Sequence, residues 1–190
     1  GMHTHWATTS GGTVFHMTPP TSADDVYFDV NSFPMPLGIL TINSNALCHN
    51  LDWTDVENFP DMAGNSQIEI YGSLLFSPNM TATYNGFYLF KSNDLGNIID
   101  FSTITNNVGN IELNGNGSWL LMSNLIFSGG GGGISLTKGT FNTNGKTITC
   151  GWVQTWGGGN RTFTLGNSTI NCQGWWVANP ESLVFNAGTS

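Results

Sequence analysis

Short runs of alternating apolar and polar residues recur along the second half of the chain, and they predict β-strands. Lys146–Cys150 and Arg161–Leu165 each alternate Thr with apolar side chains, the pattern of a half-buried strand. Asn and Gly residues separate the runs, as at Asn144–Gly145 and Gly166–Asn167, and these residues tolerate the positive φ of tight turns. The chain is therefore expected to be all-β, with short strands joined by sharp corners.

The alternating runs repeat with a fixed period over the C-terminal third of the chain. Thr140–Phe141 recurs as Thr162–Phe163, and Thr147–Cys150 recurs as Thr169–Cys172. A fixed period of about 22 residues is typical of solenoids. The repeat predicts two columns of large apolar residues, one made of Trp119, Phe141, Phe163 and Phe185 and the other of Ile104, Ile126, Ile148 and Ile170.

Strands and corners that recur with this period describe the turns of a parallel β-helix. Equivalent residues of successive turns stack about 4.8 Å apart, so that each turn buries the apolar face of its neighbour. A leucine-rich repeat has a similar period, but no segment here carries the Leu-x-x-Leu-x-Leu-x-x-Asn pattern that such a repeat needs. We therefore predict a parallel β-helix with rungs of about 22 residues.

The first third of the chain is less regular, and we predict one continuous domain with two parts. Residues 1–66 are expected to form an irregular N-terminal cap and the first strands, and residues 67–190 the regular rungs. Within the first part, strands are predicted over 38–42 and 46–53 and a loop over 54–66. Because the sequence stops within one period of its last repeat, we expect it to be a fragment of a longer protein, with flanking repeats beyond it.

The charge and hydropathy of the chain argue against two classes of partner, nucleic acids and membranes. Only 8% of residues are charged, the net charge is −8, and the four basic residues are Lys91, Lys138, Lys146 and Arg161. Nucleic-acid binding depends on clustered Lys and Arg, and these four residues are too few and too scattered. No apolar run is as long as a membrane span, which needs about 18 residues or more, so membrane insertion is not expected.

The three cysteines do not form a metal motif. Cys150 and Cys172 lie one period apart, so they are predicted to be neighbours in adjacent rungs, either as buried thiols or as a disulfide. Cys48 is expected to be buried beside Leu47 and Leu51. His3, His5, His16 and His49 have no spacing that would bring three or four zinc ligands together.

Two sets of residues are candidates for binding. Asp24, Asp25 and Asp29 form the densest acidic cluster, which suits either a Ca²⁺ site or a turn whose carboxylates accept backbone N–H groups. Exposed tryptophan rings are the usual platform for sugar rings, and the tryptophans of the repeat are alternatively a shield for the flank of the solenoid. The tryptophan candidates are Trp152, Trp156, Trp175 and Trp176.

Several motifs, in the same order along most of the chain, give it a family resemblance. With Trp6–Gly12, Pro19–Asp29, Leu51–Thr54, Ile70–Leu74 and Thr143–Thr147, the sequence resembles secreted, repetitive, adhesin-like surface proteins of Bacteroidetes-type bacteria. The resemblance implies a right-handed parallel β-helix, a pectin-lyase-like solenoid, and an extracellular or cell-surface location. It implies no catalytic residues.

The expected function follows from this resemblance and from the lack of a catalytic signature. We expect a non-catalytic adhesin-like module that displays a surface and binds glycans or a host or matrix surface, with no cofactor other than possible Ca²⁺. The alternative is a carbohydrate-binding or carbohydrate-active module related to polysaccharide lyases and hydrolases. Glycoside hydrolysis needs two facing carboxylates, whereas Glu181 is the only acidic residue after Glu112.

Overall fold

The protein is a parallel β-helix of about seven turns. The computed structural model describes residues 6–102, 109–127 and 131–190. These residues form seventeen strands and a short 3₁₀ turn at Pro180–Ser182. All pairings between the strands are parallel, which confirms the fold predicted from the sequence repeat.

Each turn contributes strand segments to three faces, which we call A, B and C. The four longest strands pass from one face to the next across a corner: β11 (Ile111–Leu121) and β13 (Gly133–Asn142) run from B to A, and β14 (Thr147–Thr155) and β16 (Thr169–Val177) run from C to B. Face A also holds β1 (Val26–Tyr27), β4 (Leu51–Asp52), β7 (Leu74–Leu75), β10 (Asn97–Asp100), β15 (Arg161–Thr164) and β17 (Leu183–Asn186). Face B also holds β3 (Ala46–Cys48), β6 (Ile68–Ile70) and β9 (Tyr88–Phe90), and face C holds β2 (Ile39–Ile42), β5 (Asp61–Gly64), β8 (Thr81–Ala82) and β12 (Leu125–Ile126).

The aromatic column predicted on face A is present. Trp119 pairs with Phe141, Phe141 with Phe163, and Phe163 with Phe185. The first three side chains are buried, whereas Phe185, on the last turn, is 46% exposed. The stacked rings of Phe141 and Phe163 have centroids 5.7 Å apart. The repeat therefore builds the core as expected, by placing one large ring above another.

The isoleucine column on face C is shifted by one residue from the prediction. Ile148 pairs with Ile170 as expected, but its partner on the preceding turn is Leu125 and not Ile126. Leu125 is buried and Ile126 points outward, because neighbouring residues of a strand face opposite sides of the sheet. Ile104, the fourth predicted member, lies outside the described residues.

Regular strand pairing begins earlier in the chain than expected. The segment 54–66, predicted to be a loop, contains β5, which pairs with β2 before it and β8 after it. Met62 in β5 is fully buried. Residues 6–25, which precede β1, are irregular, and Trp6 packs its ring against Phe28 with centroids 6.0 Å apart.

The corners use residues with positive φ where the chain turns most sharply. Asn144 and Gly145 have φ values of 52° and 69°, as expected for an Asn–Gly turn. Gly139 has a φ of 77°, and a Cβ atom placed there would lie 2.4 Å from the carbonyl oxygen of Gly115 on the preceding turn. Close contact between successive turns therefore excludes a side chain at this corner.

Candidate functional site

Three of the four candidate tryptophans surround Gln154 on the outside of face B. Trp152, Gln154 and Trp156 occupy alternate positions at the end of β14 and just beyond it, and Gln154 pairs with Trp176 on the next turn. Trp156 and Trp176 are 48% and 58% exposed, and Trp152 is half-buried. We call these four residues the tryptophan surface. On this surface three indole rings lie next to the side-chain amide of Gln154, and the strands of successive turns are about 4.8 Å apart.

Glycines make room for two of these rings. Trp152 pairs with Gly133 on one side and with Gly174 on the other. A Cβ atom at Gly133 would lie 2.3 Å from the Trp152 ring, and one at Gly174 would lie 2.5 Å from the Trp176 ring. The Trp152 indole N–H also donates a hydrogen bond of 3.1 Å to the carbonyl oxygen of Gly131. The two rings are thus held against the sheet by contacts that only glycine permits.

The fourth candidate, Trp175, faces the interior. The sequence predicted that Trp175 occupies nearly the same position in its turn as Trp152 does in the preceding turn. Trp175 pairs instead with Val153, which is buried. Its ring lies 5.7 Å from those of Phe163 and Phe185, measured between centroids. Trp175 therefore belongs to the core, and its remaining exposed part lines a pocket of about 530 Å³ together with Val177, Pro180, Leu183 and Phe185.

Polar groups continue the tryptophan surface along face B toward the N-terminus. The Gln154 amide donates a 2.6 Å hydrogen bond to the Ser135 hydroxyl on the preceding turn. Ser135 pairs in turn with Glu112, whose carboxylate accepts hydrogen bonds of 3.0 Å from Thr137 and 2.9 Å from Asn114. These residues were not among the sequence candidates, because their outward direction depends on the register of each strand.

A second carboxylate lies in the same outward column. Glu69 and Glu112 both pair with Leu89, so their backbones are two strand spacings apart, about 10 Å. Glu69 accepts hydrogen bonds from Gln67 at 2.9 Å and from Lys91 at 3.1 Å. The bond to Glu69 raises the pKa of Lys91. Face B thus carries two carboxylates that neighbouring polar side chains hold in place.

The three aspartates proposed for Ca²⁺ make separate contacts. Asp24 accepts hydrogen bonds from the backbone N–H and hydroxyl of Thr21, at 2.8 and 2.6 Å. Asp29 accepts one of 2.9 Å from the N–H of Asn31, and Asp25 contacts His49. Among the described residues no group of three His, Cys, Asp or Glu is placed to hold a metal ion. The contacts of Asp24 and Asp29 are those of the turn interpretation, and Ca²⁺ binding stays a prediction.

His49 lies between two carboxylates at the corner that joins faces B and A. Its Nδ1 is 2.8 Å from Asp25, and its Nε2 is 3.6 Å from Asp94. The hydrogen bond to Asp25 raises the pKa of His49. Burial raises the pKa of Asp25, but hydrogen bonds from His49 and Asn50 outweigh it and lower the pKa overall. His16 is exposed, and His3 and His5 lie outside the described residues.

Cys150 and Cys172 are direct neighbours on face C, as predicted from their spacing. Both are free thiols, and Cys150 is buried while Cys172 is half-buried. Cys48 is a free, buried thiol on face B. Burial raises the pKa of both Cys48 and Cys150 to about 12.

Comparison with known proteins adds no family to this description. No family model, no curated protein and no solved structure matches the chain. In the part of the chain that the structure describes, no helix has the length and hydropathy to span a membrane. The arrangement of side chains on face B is therefore the basis for a functional proposal.

Proposed function

We propose that this chain is an extracellular, adhesin-like β-helix module that binds glycans on face B. Its partners are polysaccharides of a host or matrix surface. The motifs that resemble surface adhesins of Bacteroidetes-type bacteria support the location, and the tryptophan surface supports the binding.

The observation that carries the proposal is the placement of three outward tryptophans around one amide. The faces of sugar rings carry C–H groups that pack on aromatic rings, and their hydroxyls require hydrogen-bond partners. Trp152, Trp156 and Trp176 supply the rings, and Gln154 supplies both a donor and an acceptor. Glycines at 133 and 174 keep two rings close to the sheet, so little conformational entropy is lost when a sugar binds.

The shape of face B favours an extended ligand. Gln154 and Glu112 present polar groups two strand spacings apart, about 10 Å, and the buried Ser135 hydroxyl between them accepts a hydrogen bond from Gln154. This distance is close to the length of two sugar residues in an extended polysaccharide. The polar column therefore suits a chain that runs along the solenoid axis, with its end on the tryptophan surface.

Glycan-array screening followed by titration tests the proposal. Wild-type protein is expected to bind at least one polysaccharide, and Trp152→Ala or Trp176→Ala is expected to weaken that binding at least tenfold. Val184→Ala is the matched control, because Val184 is 57% exposed on face A of the last turn and lies outside the tryptophan surface. Equal binding by wild-type protein and both tryptophan variants would reject the site.

A carbohydrate-active module is the second candidate, and Glu69 and Glu112 favour it. Inverting glycosidases hold two carboxyl groups about 6.5–9.5 Å apart, and the column positions of these two residues are separated by about 10 Å at the backbone. Incubation with any polysaccharide that binds, followed by measurement of released reducing ends, separates the two functions. Release by wild-type protein and its loss in Glu112→Gln would favour catalysis over display.

A further inference from the structure

Charge is divided unevenly along the solenoid. Residues 1–112 contain eleven of the twelve acidic residues and one basic residue, Lys91. Residues 113–190 contain three cations (Lys138, Lys146 and Arg161) and one acid, Glu181, which leaves them a net charge of +2. The last turns of an acidic protein therefore have a local excess of positive charge.

One of these cations is buried inside the corner between faces B and A. Arg161 is 1% exposed. Its Nη2 donates hydrogen bonds to the carbonyl oxygens of Ala178 and Asn179, at 3.0 and 2.6 Å, and to the Ser182 hydroxyl at 3.1 Å. The guanidinium thus fastens the corner of the last turn to the turn before it.

This corner is wider in the last two turns than in the turn before them. Between equivalent inward positions on the two faces, the chain advances by five residues from Leu136 to Phe141 but by eight from Thr155 to Phe163. The segment from Val177 to Phe185 on the next turn is as long. The corner is thus three residues longer, and the buried Arg161 side chain lies at its end.

Some of the buried hydrogen-bond donors inside this corner have no acceptor among the described residues. Within the described residues, Nε and Nη1 of Arg161 and the hydroxyl of Thr155 are buried without a hydrogen-bond partner. Thr155 begins the corner segment and Arg161 ends it. No described carboxylate forms an ion pair with Arg161. Burying a charge without a counter-charge is costly, so a partner with negative charge is favoured here.

We propose that the corner between Thr155 and Arg161 binds a small monovalent anion of the halide class. The anion accepts hydrogen bonds from Nη1 of Arg161 and from the Thr155 hydroxyl, and it neutralises the buried guanidinium. The positive charge of the last turns favours an anion at this position over a cation. The anion stabilises the folded solenoid, because it binds the corner that only the folded chain forms.

Two experiments on the intact chain test this site. Crystals soaked in sodium bromide are expected to show an anomalous peak at Nη1 of Arg161. In urea denaturation at constant ionic strength, replacement of sodium gluconate by sodium chloride is expected to increase the ratio of folded to unfolded protein saturably. At a chloride concentration ten times Kd, that ratio increases about elevenfold.

Variants separate the specific site from general effects of salt. Arg161→Met and Thr155→Val are expected to lose or reduce the chloride-specific increase. Lys146→Met, which removes a cation of the same turns away from this corner, is expected to retain it. Absence of a bromide peak at the corner would overturn the proposal even if Arg161→Met failed to fold. An equal response to chloride in wild-type protein and Thr155→Val would show that the hydroxyl is not a donor to the anion.

Discussion

The N-terminal turns, β1–β10, and the C-terminal turns, β11–β17, use the same architecture with different regularity. Along face A the early column consists of Val26, Leu51, Leu74 and Ile99, whose spacing in the sequence is unequal. The later column, from Trp119 to Phe185, advances by the same number of residues at each step. The β-helix therefore does not require equal turns, because corners of different length absorb the difference.

Both regions build a column of aromatic rings at equivalent positions of successive turns. In the N-terminal turns, Phe28 stacks on Trp53 at 4.0 Å, while Trp53 meets Phe76 edge-on at 6.4 Å. In the C-terminal turns, Phe141 stacks on Phe163 at 5.7 Å, while Phe163 meets Phe185 edge-on at 6.1 Å. Unequal and equal turns thus make the same kinds of ring contact. Both columns fill the core, but only the equal steps of the second give a fixed period in the sequence.

The largest effect that would test this comparison is truncation of a core ring in each region. Phe163→Ala and Trp53→Ala are each expected to lower the free energy of unfolding by about 3–5 kcal/mol, because both side chains are fully buried. Equilibrium urea denaturation measures the change. Phe185→Ala is the control and should cost less than half as much, since its side chain is 46% exposed. A cost below about 1 kcal/mol for Phe163→Ala would contradict the register of the column.

A smaller effect is expected where regular turns come into backbone contact. Gly139→Ala should destabilise the protein by about 1–3 kcal/mol, because φ is positive and the new Cβ meets carbonyl oxygens of the preceding turn. Gly158→Ala is the matched control, since a Cβ there meets nothing within 4 Å and should change stability by less than about 0.5 kcal/mol. Thermal and urea denaturation compare the two. Equal effects would show that turn contact at Gly139 is unimportant.

The acidic N-terminal region should respond to pH through His49 and Asp25. Because the pKa of His49 is raised on folding, its contribution is complete below about 6.5, the unfolded pKa, and is lost as pH rises through the folded value. Because the pKa of Asp25 is lowered, its contribution is complete above about 3.9 and is lost as pH falls through the folded value. The pair therefore stabilises the fold most between these two limits.

Measurement of the pair requires a variant that removes only the histidine charge. His49→Gln should lower the free energy of unfolding by about 0.2–1 kcal/mol near pH 5.5 and by less near pH 9, as expected for a partly exposed ion pair. Urea denaturation at both pH values gives the difference. A constant difference between variant and wild type across this range would show that protonated His49 adds no stability.

The reaction rates of the three cysteine thiols allow the two regions to be compared in the wild-type protein, without a destabilising substitution. Ellman's reagent at pH 8 should modify Cys172 at least tenfold faster than Cys48 or Cys150. Burial raises the pKa of Cys48 and Cys150 to about 12, so very little of either thiol is thiolate at that pH, whereas Cys172 is half-buried. Cys172→Ser should abolish the fast phase. Equal rates for all three thiols would show that the buried sites of Cys48 and Cys150 open to solvent as readily as that of Cys172.

The sequence predicted the core best where the turns are equal. The aromatic column from Trp119 to Phe185 is visible because its members recur with one fixed period. Leu125 was missed because its step to Ile148 is one residue longer than that period, which the neighbouring Ile126 satisfies. The strand β5 was missed for a related reason: its Asp61–Gly64 sequence has little alternation, and backbone pairing with β2 and β8 stabilises it.

The same limit applies to the candidate site. Trp152, Trp156, Trp175 and Trp176 were all proposed by residue type, although Trp175 faces the core. A shift of one residue in register reverses the direction of a side chain, and corner length, which determines register, has no clear sequence signal here. Gln154, Ser135 and Glu112 are common polar residues. Only the pairing of the strands shows that they occupy neighbouring positions on successive turns of face B.

The glycines beside Trp152 have a consequence for how this surface can change over evolutionary time. Gly133, Trp152 and Gly174 lie on three successive turns, distant in sequence but adjacent in the ladder. A larger residue at either glycine would displace a ring from the sheet, so substitutions at the three positions are interdependent. For the glycan-binding function proposed above, a new specificity would therefore arise by exchange of whole turns more readily than by stepwise replacement of single tryptophans.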